Sequence, residues 1–144
     1  MNILILHGPN LNLLGEREPE IYGRTTLDEI NHELKKRATE FRSEIRFFQS
    51  NHEGVLIDQI QENRKWADAL IINPGAFTHY SYAIRDMISA FAKPVIEVHL
   101  SDLSKREEFR KHSVLDGLLN VQRIMGKGAD GYYEALANLA GAGL

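Results

Sequence analysis

Short runs of hydrophobic residues alternate with longer amphipathic stretches along this chain. Five runs are candidate β-strands, at residues 3–6, 45–48, 69–72, 95–98 and 121–125. The first, third and fourth are mostly apolar on both faces, which is typical of strands covered by helices on both sides of a sheet. The second and fifth contain Arg46, Gln122 and Arg123, so these two strands are predicted nearer the sheet edges.

The stretches between these runs have the periodicity of amphipathic helices. Residues 26–29 read Thr-Leu-Asp-Glu, a capping-box pattern that predicts the start of a helix. Further helices are predicted at 55–64, 81–92 and 132–139. Strands that alternate with helices predict an α/β fold, with a five-stranded parallel sheet, right-handed crossovers and helices on both faces. The commoner strand order for such a sheet is 2-1-3-4-5.

Length and composition narrow the class of protein. The 144 residues contain no repeat or linker, so a single domain over residues 1–144 is predicted. A formal net charge of −3 leaves no basic excess for a phosphate backbone, which argues against a nucleic-acid partner. The chain has no cysteine, which excludes disulfides and thiolate-held metals. The apolar N-terminal run is too short for a signal peptide or a membrane span, so we expect a cytoplasmic protein without a membrane partner.

Polar side chains collect directly after the predicted strands. The segments concerned are His7-Gly8-Pro9-Asn10, Ser50-Asn51-His52-Glu53, Asn73-Pro74-Gly75 and, at the end of the fourth strand, Glu97-Val98-His99-Leu100-Ser101. The carboxyl ends of parallel strands lie at one edge of the sheet, where folds of this kind bind ligands. A functional site is therefore predicted at that edge.

Glu97 and His99 form the sharpest chemical pattern, because residues two apart in a strand point to the same face. A carboxylate beside an imidazole fixes its tautomer and raises its basicity, which suits a general acid near neutral pH. Asn73 and His79 flank a Pro-Gly turn and could bind substrate hydroxyls, although Asn73 could equally serve the turn itself. His7, which precedes Gly-Pro, is predicted to pack in the core.

No cofactor site is predicted. The histidines do not form a His-x-x-x-His or His-Glu-x-x-His pattern, and Glu97 is already engaged with His99, so no metal is expected. Residues 126–131 spell Gly-x-Gly-x-x-Gly, the dinucleotide-binding pattern. They follow the last strand and lack a later ribose-binding acid, so they are predicted to form a turn.

The segment at about residues 10–25 is long for a connection between a strand and a helix, and its glycines are typical of a lid. An ordinary tyrosine has a pKa of about 10, so a tyrosinate at pH 7 costs roughly 4 kcal/mol. One guanidinium at about 4 Å, with an effective dielectric constant of about 20, offsets roughly that amount. Tyr22 paired with Arg17 or Arg24 is therefore a candidate base. The alternative is an exposed basic loop with an incidental tyrosine.

Four blocks of these residues, in order and over essentially the whole chain, resemble the type II 3-dehydroquinate dehydratases. The blocks are residues 5–19 with Tyr22-Gly23, Asn73-Pro74-Gly75-Ala76-Phe77-Thr78-His79, Glu97-Val98-His99-Leu100-Ser101 and Arg106-Glu107-Glu108-Phe109-Arg110. The resemblance implies a flavodoxin-like fold. It also implies dehydration of 3-dehydroquinate to 3-dehydroshikimate by anti elimination through an enolate, in the shikimate pathway or in quinate catabolism.

The resemblance implies a role for each matching residue. Tyr22 would remove a proton from C2 of the substrate, and Arg17 would hold Tyr22 ionised. Asn10, with a water, would stabilise the enolate oxygen. His99, oriented by Glu97, would protonate the departing hydroxyl. The residues implied in binding the ring hydroxyls and the carboxylate are Asn73, His79, Arg110, Leu100 and Ser101, and Arg106 matches a second arginine where the lid docks.

The resemblance further implies an enzyme without metal or organic cofactor. It implies a homododecamer of four trimers, in which Asp86 reaches the site of a neighbouring subunit. The chain departs from the usual family pattern at residues 101–106 and again between Leu115 and Arg123. We expect these departures to affect subunit packing more than chemistry.

Two other functions remain open. A cofactor-free α/β lyase or isomerase acting on another hydroxy acid would keep the lid tyrosine but lose the four-block match. A non-enzymatic signalling or ligand-binding module of flavodoxin-like type, such as a relative of the response regulators, needs an acidic cluster after the first strand. The chain has His7-Gly8-Pro9-Asn10 there, which disfavours the module.

Overall fold

The computed structural model of the protein describes residues 1–141, and the last three residues of the predicted 1–144 domain lie outside the described residues. The strands are β1 (Asn2–His7), β2 (Glu44–Gln49), β3 (Ala69–Asn73), β4 (Val95–His99) and β5 (Val121–Met125). The helices are α1 (Pro19–Tyr22), α2 (Leu27–Glu40), α3 (Glu53–Asn63), α4 (Tyr82–Phe91) and α5 (Asp130–Ala140). Over residues 1–141, none of the helices combines the length and apolarity needed to cross a membrane.

The five strands form one parallel sheet in the order β2-β1-β3-β4-β5. The predicted fold class and strand order are therefore confirmed, and the two strands that carry arginine are the edges. In register, His7 of β1 lies beside Asn73 of β3, and Glu97 of β4 lies beside Arg123 of β5. This register brings residues from four separate segments of the chain to one end of the sheet.

The alternating strand positions feed two cores, one on each face of the sheet. In β1, Ile3 and Ile5 pack under α2 and α5, whereas Leu4 and Leu6 pack under α3 and α4. These side chains are fully buried. Burying an aliphatic side chain of this size stabilises the fold by about 1.5–3 kcal/mol, so a register shift of one residue would be strongly unfavourable.

The helix boundaries differ from the predicted ones by one or two residues. The Thr26 hydroxyl accepts a hydrogen bond from Glu29 N at 3.2 Å, which confirms the predicted start of α2. Ser81 caps α4 in the same way, accepting from Ile84 N at 3.1 Å, so the helix itself begins one residue later. At the other end Ala92 adopts a left-handed conformation, with φ of 57°, and ends the helix before Lys93-Pro94.

His7 is fully buried, as predicted, and both ring nitrogens are paired. Nε2 donates to Asn31 Oδ1 at 2.8 Å, and Nδ1 accepts from the hydroxyl of Tyr132 at 3.0 Å. Burial lowers the pKa of His7 from 6.5 to about 4, although the hydrogen bond to Asn31 opposes the shift. Burial also raises the pKa of Tyr132. Both groups are therefore uncharged in the folded protein at neutral pH.

The lowered pKa of His7 is expected to make stability depend on pH. Between pH 6.5 and about 4 the unfolded chain binds a proton at His7 that the folded chain does not bind. The free energy of unfolding is therefore highest above pH 6.5 and falls as the pH drops to about 4, by on the order of 3 kcal/mol from this group. Urea unfolding of the wild type and of His7→Gln at several pH values measures the contribution, which the variant should lack.

The exposed His32, on the same helix as Asn31, provides the matched control. His32→Gln should keep the wild-type pH dependence over this range. An equal slope in His7→Gln and in the wild type would contradict the assignment to His7.

Candidate active site

The carboxyl ends of β1, β3 and β4 border a cleft of about 170 Å3, covered by the segment that connects β1 to α2. Its lining residues are Pro9, Asn10, Leu11, Arg17, Tyr22, Asn73, Gly75, Ala76, His79, His99, Leu100, Ser101, Leu103, Arg106 and Arg110. The lining contains three arginines and no carboxylate, so this cleft favours an anionic ligand.

Glu97 and His99 form the buried floor of the cleft. Glu97 is fully buried and His99 is 5% exposed. His99 Nε2 donates to Glu97 Oε2 at 2.6 Å, so the shared face predicted from their spacing holds in the structure. Because Nε2 is engaged by the carboxylate, Nδ1 is the imidazole nitrogen left for a ligand in the cleft.

Glu97 is ionised despite its burial. Burial alone would raise the pKa of its carboxyl, but the hydrogen bond and charge of His99, with Thr78 and Arg123, lower the pKa to about 2. Thr78 Oγ1 donates to Oε2 at 2.6 Å, and Ser113 Oγ donates to the same oxygen at 3.0 Å. Arg123 Nε donates to Oε1 at 3.0 Å.

The sequence reasoning missed Thr78, Ser113 and Arg123. They come from a turn, a loop and the last strand, and no local pattern connects them. Only Arg123 could have been found from the sequence, through the sheet register. Pairing β4 with β5 places Arg123 beside Glu97.

Two close turns hold the side of the cleft formed after β3. Asn73 Oδ1 accepts from Gly75 N at 3.0 Å, so this side chain serves the turn as well as lining the cleft. A Cβ on Gly8 would lie 2.5 Å from the carbonyl oxygen of Pro74, so the two turns can touch only because residue 8 is glycine.

His79 follows the same turn and lines the cleft from its outer side. Its Nδ1 donates to the carbonyl oxygen of His112 at 2.7 Å, which leaves Nε2 free to accept a hydrogen bond. Burial lowers the pKa of His79, although the bond to His112 opposes the shift. His79 is therefore a neutral acceptor at neutral pH.

The segment after β1 brings Tyr22 over the cleft. Pro19 starts the single turn α1, and Gly23 ends it with φ of 84°. The guanidinium carbon of Arg17 lies 4.9 Å from the centre of the Tyr22 ring. Arg106 Nη2 lies 3.5 Å from the phenolic oxygen, so Arg106 reaches the hydroxyl of Tyr22, whereas the expected partner Arg17 contacts its ring.

Arg106 and Arg110 bring charge from the segment after β4. Arg106 Nη1 donates to Ser101 Oγ at 3.0 Å. Arg110 Nε lies 3.0 Å from Glu107 Oε2. The carboxylate is out of line with the N–H, however, and in residues 1–141 this buried nitrogen has no hydrogen-bond partner. Glu107 therefore holds this N–H of Arg110 by charge rather than by an aligned hydrogen bond, while the Arg110 side chain lines the cleft.

Residues 126–129 of the glycine pattern form a turn, as predicted, and residues 130–131 begin α5. Gly126 N donates to the carbonyl oxygens of His99 and Ser101, and Gly128 N donates to that of Leu100. A Cβ on Gly126, where φ is 81°, would lie 3.1 Å from Asp102 Cβ. These bonds hold the backbone of residues 99–101 against the end of β5.

Most residues predicted for the site meet in this cleft. Glu97 lies behind His99, and Asp86 lies on the exposed face of α4 without lining the cleft of its own chain. Arg24 is exposed and also lies outside the lining. No set of three or more His, Asp or Glu side chains within residues 1–141 is arranged to hold a metal ion.

Comparison with known proteins gives a consistent result over nearly the entire chain. Residues 1–140 match the family model described as Dehydroquinase class II. A 3-dehydroquinate dehydratase of Dictyoglomus turgidum is 56% identical over 136 residues, which cover 94% of this chain and 93% of the relative. One from Pelotomaculum thermopropionicum is 54% identical over 144 residues, covering 98% of this chain and 99% of the relative.

A solved structure agrees with the sequence matches. The type II dehydroquinase of Butyrivibrio crossotus superposes with a TM-score of 0.93 at 44% identity, covering 96% of this chain and 97% of that one. With the family match over residues 1–140, these similarities show that the chain belongs to the class II dehydroquinase family.

Proposed function

We propose that this protein is a 3-dehydroquinate dehydratase, which converts 3-dehydroquinate to 3-dehydroshikimate and water. The observation that carries the proposal is the pairing, across one cationic cleft, of an arginine-contacted tyrosine with a carboxylate-held histidine. The names of relatives at 56% and 54% identity agree with it. We place this activity in the cytoplasm, in the shikimate pathway or in quinate catabolism.

Tyr22 acts as the base. Its phenolate takes a proton from C2, next to the C3 ketone, and the C–H electron pair moves into the enolate. Arg106 lies near the phenolic oxygen and Arg17 lies at the ring, so two positive charges surround the group that takes the proton. Asn10, which lines the cleft at the end of β1, stabilises the enolate oxygen together with a water.

His99 acts as the acid. When the enolate collapses, the C3 ketone reforms, the C1–C2 double bond forms and the C1–O bond breaks. The departing hydroxyl takes a proton from Nδ1 of the His99 imidazolium and leaves as water, while Nε2 stays bound to Glu97. Tyr22 then releases the C2 proton to solvent, and His99 takes up a proton from solvent, which returns both groups to their starting states.

The remaining lining residues orient the substrate. Asn73, His79 and Arg110 bind ring hydroxyls, for which His79 Nε2 is available in the free protein. Leu100 and Ser101 bind the carboxylate, partly through backbone N–H groups, on the stretch that the Gly126 turn supports. Holding the ring in one orientation places C2 under Tyr22 and C1 near His99.

Asp86 is assigned a role between subunits. It is exposed on α4 and does not line the cleft of its own chain. We propose that it completes the site of a neighbouring subunit in a homododecamer of four trimers. Light scattering tests this assembly, and a monomer at working concentrations would contradict it.

The function is tested by adding 3-dehydroquinate to purified protein in the presence of a chelator. The product is a conjugated enone, so turnover appears as a rise in ultraviolet absorbance. We expect multiple turnovers per subunit without added metal. An absence of turnover by folded protein would remove the proposal.

We expect the segment at residues 10–25 to act as a lid that closes over bound ligand. Trypsin should cut free protein after Arg17 or Arg24, and 3-dehydroshikimate should slow that cleavage. Arg42, which is exposed beyond α2, provides an internal control site whose cleavage should not change. Equal cleavage of the lid with and without ligand would contradict closure.

A further inference from the structure

The fully buried carboxylate of Glu97 is shared between His99 and a permanent cation. His99 Nε2 binds Oε2 at 2.6 Å, whereas Arg123 Nε binds Oε1 at 3.0 Å. Thr78 and Ser113 donate to the same carboxylate, so each of its oxygens is hydrogen-bonded. The carboxylate therefore cannot rotate toward one partner without losing another.

Arg123 is itself held in place. It lies on β5 beside Glu97 in the sheet register, and its Nη2 pairs with the carboxylate of Asp116 in the preceding loop. Its side chain is 26% exposed, whereas that of Asp116 is 58% exposed. The charge of Arg123 is therefore screened less by solvent than the charge of Asp116.

We infer that Arg123 is a positioning residue that offsets the charge of Glu97 and thereby makes His99 a stronger acid; this inference rests on the proposed function. A lone buried carboxylate at 2.6 Å would strongly favour the imidazolium and hold its proton. A guanidinium on the opposite carboxylate oxygen weakens that effect while still keeping Glu97 ionised. His99 then remains oriented and releases its proton more readily.

Other charges reach His99 from the surrounding elements. The titratable and charged groups that face it are Glu97 on its own strand, His79 after β3, Tyr22 and Arg17 on the lid, and Arg106 and Arg110 after β4. All of them except Glu97 line the cleft, on the side of His99 where a ligand would bind. Arg123 differs because it acts on the far side of the carboxylate that binds His99.

The titration of the His99 imidazole, followed by NMR, tests this inference without relying on turnover. Arg123→Gln should raise the pKa of His99 by about one unit, because the full charge of Glu97 then acts on the imidazole. Arg123→Lys keeps the charge and should restore most of the wild-type value. Arg46→Gln, on the opposite edge strand, is the matched control and should leave His99 unchanged. An unmoved His99 titration in folded Arg123→Gln would overturn the inference.

Asp116→Asn tests in which direction the charge of Arg123 shifts the pKa of His99. The variant retains the ion pair between Arg123 and Glu97. Removing the Asp116 charge leaves Arg123 less neutralised, so the pKa of His99 should shift slightly downward, opposite to its shift in Arg123→Gln. An upward shift of equal size would overturn the electrostatic role. This variant keeps the inference testable if Arg123→Gln fails to fold.

The pH profile of turnover provides the functional readout. In Arg123→Gln we expect the alkaline limb of kcat to move up by about one pH unit, and kcat to fall about tenfold with little change in KM. Arg123→Lys should reverse most of both changes. If Arg123→Gln keeps the wild-type kcat and its alkaline limb does not shift, only this inference is overturned. Absence of turnover in the wild type itself would instead remove the proposed function.

Discussion

Replacing Tyr22 by phenylalanine is expected to lower kcat by about 10³-fold while leaving product-like acids bound. The variant lacks only the oxygen that takes the proton from C2, and positioned general bases contribute about 10²- to 10⁴-fold to rate. Arg106 lies 3.5 Å from that oxygen and Arg17 lies over the ring, so the positive charge of the cleft stays in place. Steady-state turnover and calorimetric binding of 3-dehydroshikimate measure the two effects separately.

Tyr133 provides a matched control for this substitution. It also lies under a guanidinium, with Arg37 4.5 Å from its ring centre, but it is outside the cleft. Tyr133→Phe should keep wild-type kcat. Near-normal turnover in Tyr22→Phe would show that another group takes the C2 proton.

The fold was largely predictable because its main determinants are local and periodic. In β1 the alternation of Ile3 and Ile5 with Leu4 and Leu6 indicates a strand buried on both faces, and both cores use it. Arg46 marks an edge strand because a charged side chain is tolerated there. The exact helix ends were less predictable, since Ser81 caps α4 through its side chain and is not itself helical.

The site was predictable where sequence spacing determines geometry and unpredictable where it does not. A spacing of two residues in a strand was enough to place Glu97 beside His99. The contact between Arg106 and the hydroxyl of Tyr22 joins residues 84 positions apart, and only the folded loops bring them together. Spacing alone therefore could not choose between the arginines near Tyr22.

The segment between Leu115 and Arg123 provides a second contact that sequence spacing alone could not predict. Its departure from the family pattern is expected to affect subunit packing more than chemistry, and the structure adds that Arg123 contacts the carboxylate that binds His99. An arginine in an edge strand ordinarily indicates solvent exposure. Here the neighbouring strand carries a buried carboxylate at the paired position, so the same side chain turns inward to contact it.

Replacing His99 by alanine is expected to lower kcat by about 10²- to 10³-fold but to spare the first half of the reaction. Tyr22 and its arginines remain, so enolate formation should continue, and C2 of 3-dehydroquinate should exchange hydrogen with deuterated solvent faster than without enzyme. Tyr22→Phe should lose both exchange and turnover, which separates the acid from the base. Nuclear magnetic resonance of the substrate in deuterium oxide measures the exchange.

His52 is exposed at the same sheet edge but lies outside the cleft, so it provides the control. His52→Ala should change neither the exchange rate nor kcat. Unchanged kcat in His99→Ala would assign the acid to another group. Loss of exchange in that variant would mean instead that His99 is needed before the C1–O bond breaks.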